Sequence, residues 1–368
     1  MKSVWEHNLK LEIYGQSHGA AVGFYLYNFP SGVTLDCGMI NAFMRRRSPA
    51  GEFGSRRRET DEYEFLSGVA TDGNDFITTG DVIHAEIANR DADSSVYRVL
   101  QGIPRPGHAD LPLYLKYSAD YDISGGGHHS GRLTAPLTLA GALCVSMLQE
   151  RGIHIGAHIY SAAGIRDTAF DPVTVTKKTL DALKDADFPT IDLFAGEKIK
   201  QSLSALRAQG KACGAVIQCC IIGCCEVLGN HMFYGLENVI SSLAFAVPAV
   251  KGIDFGDGFA LAEETSPQSN DEYTLEDGKI TSSTNHAGGI LGGMTYGMPV
   301  LFRVAIKPTP SVSSPQRSVD MKTNTETEIS VSGRHDVCIG VRAVPVIEAV
   351  AAIAVADLIA GVIAGGGR

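Results

Sequence analysis

The sequence predicts an α+β fold, and three observations favour this class. Strand-like runs occur in pairs between long helical patterns, which favours antiparallel sheets over a regular βαβ alternation. The chain has 368 residues, which is enough to bury a large hydrophobic core. Hydrophobic residues make up 44% and charged residues 20%, a balance typical of globular proteins rather than of disordered chains.

The individual elements follow from apolar periodicity along the chain. We expect strands over residues 9–14, 22–28, 82–88, 154–163, 214–227, 250–263 and 298–306. We expect helices over residues 38–46, 137–151, 197–209, 236–245 and 344–363. No linker or internal repeat divides the sequence, so we predict one domain over 1–368.

The long segments between these elements are rich in Gly, Arg, His and Ser. They lie at about 45–60, 105–132, 264–297 and 308–340. Long segments without regular structure are usually binding loops or lids, so we predict that the chemistry resides in them.

Charge and cysteine content exclude several function classes. The net charge of −10 disfavours a nucleic-acid surface, so an anion site must come from local arginine clusters. Four of the eight cysteines lie within the apolar stretch 215–227: Cys219, Cys220, Cys224 and Cys225. We interpret this stretch as a buried strand whose cysteines are small hydrophobes. A zinc site is the alternative, but the usual C-x2-C spacing and a set of histidine ligands are missing, so we predict no metal.

Only residues 343–364 are apolar over the length of a membrane span. Glu348 and Asp357 interrupt this segment, and Pro345 suits the start of a helix, so we predict a buried core helix and no membrane contact. No basic-then-apolar signal opens the chain, and we therefore expect a cytoplasmic protein.

The most informative turn is the segment RPGHAD at 105–110. Proline fixes one backbone dihedral and glycine permits a reversal, so His108 is held on a turn between a cation and a carboxylate. Histidine exchanges a proton near neutral pH, and constrained turns of this kind are common in active sites. The segment GQSHG at 15–19 places a second histidine, His18, directly after a predicted strand. Each turn alone could be structural, but their recurrence favours a functional interpretation.

Anion-binding residues accompany these histidines. Arginine runs at 45–47 and 56–58 suit a small polyanion, although a solvated helix end is the simpler alternative. The segment SGGGHHSGR at 124–132 has three consecutive glycines, which let backbone N–H groups approach an anion closely. A helix begins near residue 134 and adds positive potential there. The adjacent histidines could suggest a metal, but no third ligand is evident.

Three C-terminal segments complete the set. Residues 285–293 read NHAGGILGG, which permits close approach to a flat or anionic ligand but is not a Rossmann fingerprint. Residues 307–311 read KPTPS and place a cation and hydroxyl groups after a strand. Residues 333–336 read GRHD and supply an arginine, a histidine and a carboxylate in succession.

In this order, the segments resemble the chorismate synthase family. The match runs nearly end to end and includes residues 15–19, 45–47, 66–69, 105–110, 125–132, 249–252, 285–293, 307–309, 333–336 and 342–345. The resemblance implies a single-domain β-α-β sandwich in which antiparallel sheets pack around long core helices, and typically a homotetramer.

The resemblance also implies an activity. It is the 1,4-anti elimination of phosphate from 5-enolpyruvylshikimate 3-phosphate to give chorismate, the last step of the shikimate pathway to aromatic amino acids. The reaction depends on reduced FMN although it has no net redox change. The chain adds no reductase domain to the common family length, so we expect an external source of reduced flavin; the sequence leaves open whether the chain itself reduces FMN with NADPH. A substrate with one phosphate and two carboxylates is consistent with several arginines and a proton donor.

Roles are implied residue by residue. His18 would protonate the leaving phosphate, His108 would stabilise or protonate the reduced ring near flavin N1, and Asp336 would assist proton transfer at flavin N5. The implied substrate ligands are Ser17, Arg46, Arg105 and Arg132. The implied cofactor ligands are His128, His129, Ser130, Gly292, Lys307, Pro308, Thr309, Pro310, Ser311 and Arg334.

The chain departs from the family pattern at several positions. Gln16 stands where a glutamate is usual, Glu52 where an arginine is usual, and Val337 where a proline is usual. The glycine loop usually continues RSSARET, whereas residues 128–134 read HHSGRLT. His128 would replace the missing arginine charge only when protonated, so we expect FMN binding to weaken as the pH rises.

Two other functions remain open from the sequence. A histidine phosphatase is suggested by residues 334–336, but residues 15–19 do not supply the Arg-His-Gly loop which that class expects. A non-catalytic flavin- or anion-binding paralogue is allowed by the altered loop at 128–129. The retention of His18, His108 and Asp336 together argues against the paralogue.

Overall fold

The computed structural model describes residues 2–48, 60–90, 100–118, 121, 124–225, 227–276, 278–331 and 336–364. In chain order, the strands are β1 (Lys2–Glu6), β2 (Lys10–Gly15), β3 (Ala21–Tyr27), β4 (Thr34–Leu35), β5 (Tyr63–Ser67), β6 (Val69–Asp72), β7 (Asp75–Thr78), β8 (Ile83–Ala88), β9 (His154–Ala162), β10 (Ile165–Arg166), β11 (Ala215–Ile222), β12 (Val250–Phe255), β13 (Tyr273–Glu276), β14 (Lys279–Ser282), β15 (Ile290–Leu291), β16 (Met294–Thr295), β17 (Val300–Ile306), β18 (Gln316–Asp320) and β19 (Thr325–Ile329). The α-helices are α1 (Cys37–Arg47), α2 (Asp110–Tyr117), α3 (Thr134–Glu150), α4 (Lys177–Asp185), α5 (Leu193–Ala208), α6 (Leu236–Ala246) and α7 (Gly340–Ala364).

Two five-stranded antiparallel sheets enclose a helical layer in the part of the chain that the structure describes. Sheet 1 has the order β1-β2-β3-β8-β5, and sheet 2 has the order β10-β9-β11-β17-β12. Helix α3 packs against sheet 1, helix α7 packs against sheet 2, and the two helices pack against each other. The predicted α+β class, with antiparallel sheets around long core helices, is confirmed.

The predicted elements are present, with corrections at their ends. The strand expected over 214–227 ends at Ile222. The strand expected over 250–263 ends at Phe255, and its second half is a 3-10 turn over Gly258–Glu263. The apolar composition continues past the ends of both strands, but the positive φ values of Gly223 and Gly256 turn the backbone away from the strand direction.

Three of the four long segments contain more regular structure than predicted; residues 49–59 of the segment 45–60 lie outside the described residues. Helix α2 lies within 105–132, and the hairpins β13–β14 and β15–β16 lie within 264–297. The hairpin β18–β19 lies within 308–340. These elements are short and largely exposed, so they lack the apolar periodicity that reveals longer elements.

Buried carboxylates explain how the most apolar helix remains in the core. By length and composition alone, two helices could cross a membrane, Gly131–Glu150 and Gly340–Ile363, and both are mostly buried inside the protein. Asp357 of α7 accepts the backbone N–H groups of Asn8 at 2.8 Å and Leu9 at 2.6 Å. Glu348 accepts the N–H of Ala157 at 2.9 Å and a bidentate pair from Arg46. Buried charges require such partners. Here the hydrogen bonds of Asp357 and Glu348 attach α7 to sheet 1 near Leu9 and to sheet 2 at Ala157.

Helix α7 begins at Gly340, so Pro345 lies inside the helix and not at its start. The predicted boundary was wrong by about one turn, because α7 already begins at residues that lack strong helix signals.

The topology brings the candidate segments to the ends of paired strands. The turn with Ser17 and His18 joins β2 to β3, where Gly15 pairs with Val22. Ala88 of β8 pairs with Ala21 of β3, so Asn89 follows β8 beside the same turn. Antiparallel pairing therefore fixes which backbone groups surround His18.

Candidate active site

A glycine loop brings the two predicted catalytic histidines together. Gly125 and Gly126 have φ values of 60° and 83°, in the left-handed region that favours glycine. A Cβ on Gly125 would collide with the imidazole of His18 and lie 2.7 Å from Ser17 Oγ. A Cβ on Gly126 would lie 3.3 Å from Nε2 of His108. The loop thus packs against His18 with one residue and against His108 with the next.

Hydrogen bonds connect the His18 turn, residues 15–19, to this loop. The N–H of Ser17 donates to the carbonyl of Gly127 at 3.2 Å. Nδ1 of His128 lies 2.7 Å from the carbonyl oxygen of Gly15. A carbonyl can only accept, so Nδ1 of His128 carries the hydrogen. His128 is therefore an anchor of the turn, and its contact with FMN stays a prediction.

His108 forms a dyad with Asp110, which is fully buried. Nδ1 of His108 lies 2.5 Å from Oδ1 of Asp110. Arg105 donates to the same carboxylate through Nε at 2.6 Å and through an Nη at 2.8 Å. Burial alone would raise the pKa of Asp110, but hydrogen bonds from Arg105 and His108 hold it well below its usual range. Asp110 is thus ionised and keeps the hydrogen of His108 on Nδ1, while Nε2 faces the glycine loop.

The segment 307–311 lies against the same turn. Lys307 donates from Nζ to the carbonyl of Gly107, and Arg105 donates to Ser311 Oγ at 3.1 Å. Burial lowers the pKa of the Lys307 ammonium, with a further contribution from the charge of Lys251. The segment follows β17, so the predicted cofactor ligands at 307–311 are placed beside His108 by the end of a sheet strand.

Three other predicted cofactor ligands lie in two places: His129 and Ser130 in the segment 124–132, and Gly292 in the β15–β16 turn. Much of the His129 side chain is exposed, but partial desolvation of the ring, together with the charges of His108 and His128, lowers its pKa. Ser130 Oγ accepts the N–H of Arg132 at 3.2 Å and so begins the 3-10 turn before α3. Gly292 lies in the turn between β15 and β16, with Met294 as its neighbour. Its place in a flavin site stays a prediction.

The three arginines predicted as substrate ligands are all paired with carboxylates of the protein. Arg105 pairs with Asp110, Arg46 with Glu348 and Arg132 with Asp61. Partners that neutralise a guanidinium weaken its attraction for a ligand anion. A direct role of these arginines in substrate binding stays a prediction; the structure shows each of them held by a carboxylate of the protein.

Asp336 lies at the end of the segment 333–336. Its Oδ2 accepts from an Nη of Arg342 at 2.9 Å. Arg334 and His335 lie outside the described residues, so the predicted role of Arg334 is not addressed by the structure.

The sequence analysis missed four residues that organise this site. Asp110 belongs to the segment 105–110, and its spacing of two residues from His108 was the available signal. Asp61 and Asn89 had no signal, because they bind Arg132 from 71 and 43 residues away. Arg342 lies in segment 342–345 of the family resemblance, but no role is implied for it there.

We expect Arg46→Met to lower the free energy of unfolding by about 3–5 kcal/mol, because it leaves Glu348 as an uncompensated buried charge. Denaturant unfolding measures this, with Arg45→Met, an exposed arginine on the same helix, as the control. The double variant Arg46→Met, Glu348→Met is expected to recover most of the loss. An increase in KM at unchanged stability would instead show that Arg46 acts chiefly on the substrate.

We expect stability to fall in acid. A carboxylate whose pKa is lower in the folded than in the unfolded chain stabilises the fold above about pH 4, and this contribution is lost as the pH falls toward the folded value. Asp61 and Asp110 both have lowered pKa values, because paired cations outweigh the opposing effect of burial. The stability difference between the wild type and Asp110→Asn should therefore be larger at pH 7 than at pH 3. Equal differences in urea unfolding at the two pH values would contradict this.

Known proteins resemble this chain over nearly its whole length. A family model described as chorismate synthase matches residues 9–360. A chorismate synthase of Lancefieldella parvula is 38% identical over 367 residues, which cover 97% of this chain and 96% of that protein. A chorismate synthase of Thermococcus gammatolerans is 37% identical over 349 residues, 95% of each chain. A crystal structure of chorismate synthase superposes with a TM-score of 0.74 at 25% identity, covering 99% of this chain and 94% of that one. The comparisons support neither the histidine phosphatase nor the non-catalytic paralogue.

Proposed function

The chain belongs to the chorismate synthase family of lyases, and on this premise we propose how its site works. The substrate is 5-enolpyruvylshikimate 3-phosphate, phosphate is eliminated, chorismate is the product, and reduced FMN is required. The observation that most supports this function is the glycine loop, which packs against His18 and His108 together.

The residues around this loop fit a flavin mononucleotide. The two left-handed glycines let the imidazole rings of His18 and His108 approach the loop backbone, where a Cβ would meet them. Among the described residues, Ser17 Oγ and Asp336 Oδ1 are buried without a hydrogen-bond partner, and both belong to predicted site residues. A buried polar atom without a partner requires an explanation, and a bound ligand or a catalytic role is one. Lys307, Ser311 and Ser130 would hold the cofactor with the backbone of 125–131, and reduced FMN would supply the electron and accept the hydrogen that the elimination requires.

The proton chemistry falls to the chain's own side chains. His18, packed against the glycine loop, would donate a proton to the leaving phosphate, since a poor leaving group needs a general acid. Asp110 holds His108 with the hydrogen on Nδ1, so Nε2 is the atom that would exchange a proton at the flavin side of the site. Arg342 orients Asp336 through Oδ2, which leaves Oδ1 as the atom that would accept a proton.

We further propose a single-domain cytoplasmic enzyme that acts as a homotetramer and takes reduced flavin from an external source. The exposed side chains of Met232, Phe233 and Tyr234 form an apolar surface of the kind that subunit contacts cover.

Anaerobic incubation with the enolpyruvyl substrate tests the proposed function. We expect chorismate, followed by its absorbance, only when reduced FMN is present. Release of phosphate without flavin, or flavin binding without product, would overturn the proposal.

A further inference from the structure

We propose that Asp61 is a positioning residue that holds the His18 turn and the Asp336 segment in one hydrogen-bonded assembly. The expected effect on turnover rests on the proposed function, whereas the structural part of the inference does not.

Asp61 binds a different arginine with each carboxylate oxygen. Oδ1 accepts from Arg132 and Oδ2 accepts from Arg47. Ser48 Oγ also donates to Oδ2, at 3.2 Å. Asp61, Arg47 and Arg132 are at most 5% exposed. Burial alone would raise the pKa of Asp61, but the charges of Arg47 and Arg132 lower it, so the carboxylate is ionised at neutral pH.

One branch leads from Asp61 to the His18 turn. Arg132 donates from Nε to Oδ1 of Asn89 at 2.7 Å. The amide nitrogen of Asn89 donates to the carbonyls of Gln16 at 3.0 Å and Gly19 at 2.9 Å. These two carbonyls flank Ser17 and His18 on either side. Arg132 is therefore connected, through Asn89, to both ends of the turn.

The other branch leads from Asp61 to Asp336. The carbonyl of Arg47 accepts from Nε of Arg342 at 2.9 Å, and an Nη of Arg342 donates to Asp336 Oδ2 at 2.9 Å. Arg47 also donates to the carbonyl of Gly131 at 3.2 Å, beside the glycine loop. One carboxylate thus connects both proton-handling ends of the site.

The charge of Asp61 is what holds the two branches together. Burial and the charges of Arg342 and Arg132 together lower the pKa of Arg47 to about 10, against the opposing attraction of Asp61. Without that carboxylate, Arg47 and Arg132 would repel each other in a buried site. Asparagine has nearly the shape of aspartate, but its NH₂ group would face one of the two cations.

Hydrogen–deuterium exchange tests the assembly directly, because the amide of Gly19 is hydrogen-bonded to Gln16 within the turn and that of Ser17 to Gly127 of the glycine loop. The variant is Asp61→Asn. The matched control is Glu62→Gln, which removes the same charge from the neighbouring residue, whose partner Arg90 is on the surface. In Asp61→Asn we expect exchange in residues 15–19 and 336–342 to rise about tenfold or more while the centre of α7 is unchanged. We also expect kcat to fall about 10²-fold with KM nearly unchanged, the result of misplaced reacting groups.

A second variant, Asn89→Ala, tests the proposal even if Asp61→Asn does not fold. Asn89→Ala changes no charge and cuts only the first branch, so exchange should rise in 15–19 and not in 336–342. Exchange in Asp61→Asn equal to that in Glu62→Gln, or raised uniformly through the core, would overturn the positioning role. So would unchanged exchange at 15–19 in Asn89→Ala. Failure of the wild type to form chorismate would overturn the proposed function alone, because the exchange measurements need no substrate.

Discussion

Replacing His108 with alanine is expected to lower kcat by about 10²- to 10⁴-fold, the usual contribution of a positioned general acid or base. The reason is geometric. Asp110 and Arg105 fix the imidazole so that Nε2 faces the glycine loop, and alanine leaves no group there to carry a proton. Asp110→Asn should give a smaller loss, because it keeps the imidazole but no longer selects the nitrogen that carries its hydrogen.

Anaerobic steady-state kinetics with reduced FMN measure this effect, with flavin affinity determined separately by fluorescence titration. The control is His231→Ala, since His231 is an exposed histidine whose ring contacts only Asn230 among the described hydrogen bonds. If the His108→Ala variant formed chorismate at close to the wild-type rate, the assignment of His108 would be wrong.

Gly125→Ala is expected to reduce flavin affinity and turnover together, by at least about 10²-fold in kcat/KM. A methyl group at residue 125 would collide with the ring of His18, and the backbone there has a φ of 60° that disfavours alanine. The loop must therefore shift, and it carries both histidine contacts with it.

The matched control is Gly131→Ala in the segment just after the loop. A Cβ on Gly131 meets no atom within 4 Å, so this change adds the same methyl group without a collision. Fluorescence titration of FMN and chorismate formation should separate the two variants clearly. Similar behaviour of Gly125→Ala and Gly131→Ala would show that the loop does not need to be glycine at 125.

Much of the site was predictable because its signals are local. The turn at 105–110 and the glycine loop at 124–132 can be recognised from their Pro and Gly residues, whose backbone preferences act within a few residues. The buried helix α7 was recognised because two carboxylates within an apolar run require protein partners. The segments 264–297 and 308–340 were less predictable, since their short hairpins leave little apolar periodicity.

The arginines show where prediction from sequence stops. Arg46, Arg105 and Arg132 were expected to face the substrate, yet each is paired with a buried carboxylate. Glu348 lies far along the chain from Arg46, and no spacing rule connects them. The electrostatic partner of an arginine depends on which elements the fold places side by side, and that information is not local.

The sequence by itself determined the α+β class, the family resemblance, the two histidine turns and the glycine loop, because these follow from periodicity and from backbone constraints that act over short distances. Only the tertiary structure decided that one glycine loop packs against both histidines, that Asp110 orients His108, and that Asp61 joins the His18 turn to Asp336. The physical reason is that the contacts of the glycine loop and of Asp61 join separate parts of the chain. The pair of His108 and Asp110 is local in sequence, but the fold buries its carboxylate, which stays ionised there because Arg105 lies beside it. Ion pairs in a buried site form only where packing brings opposite charges together.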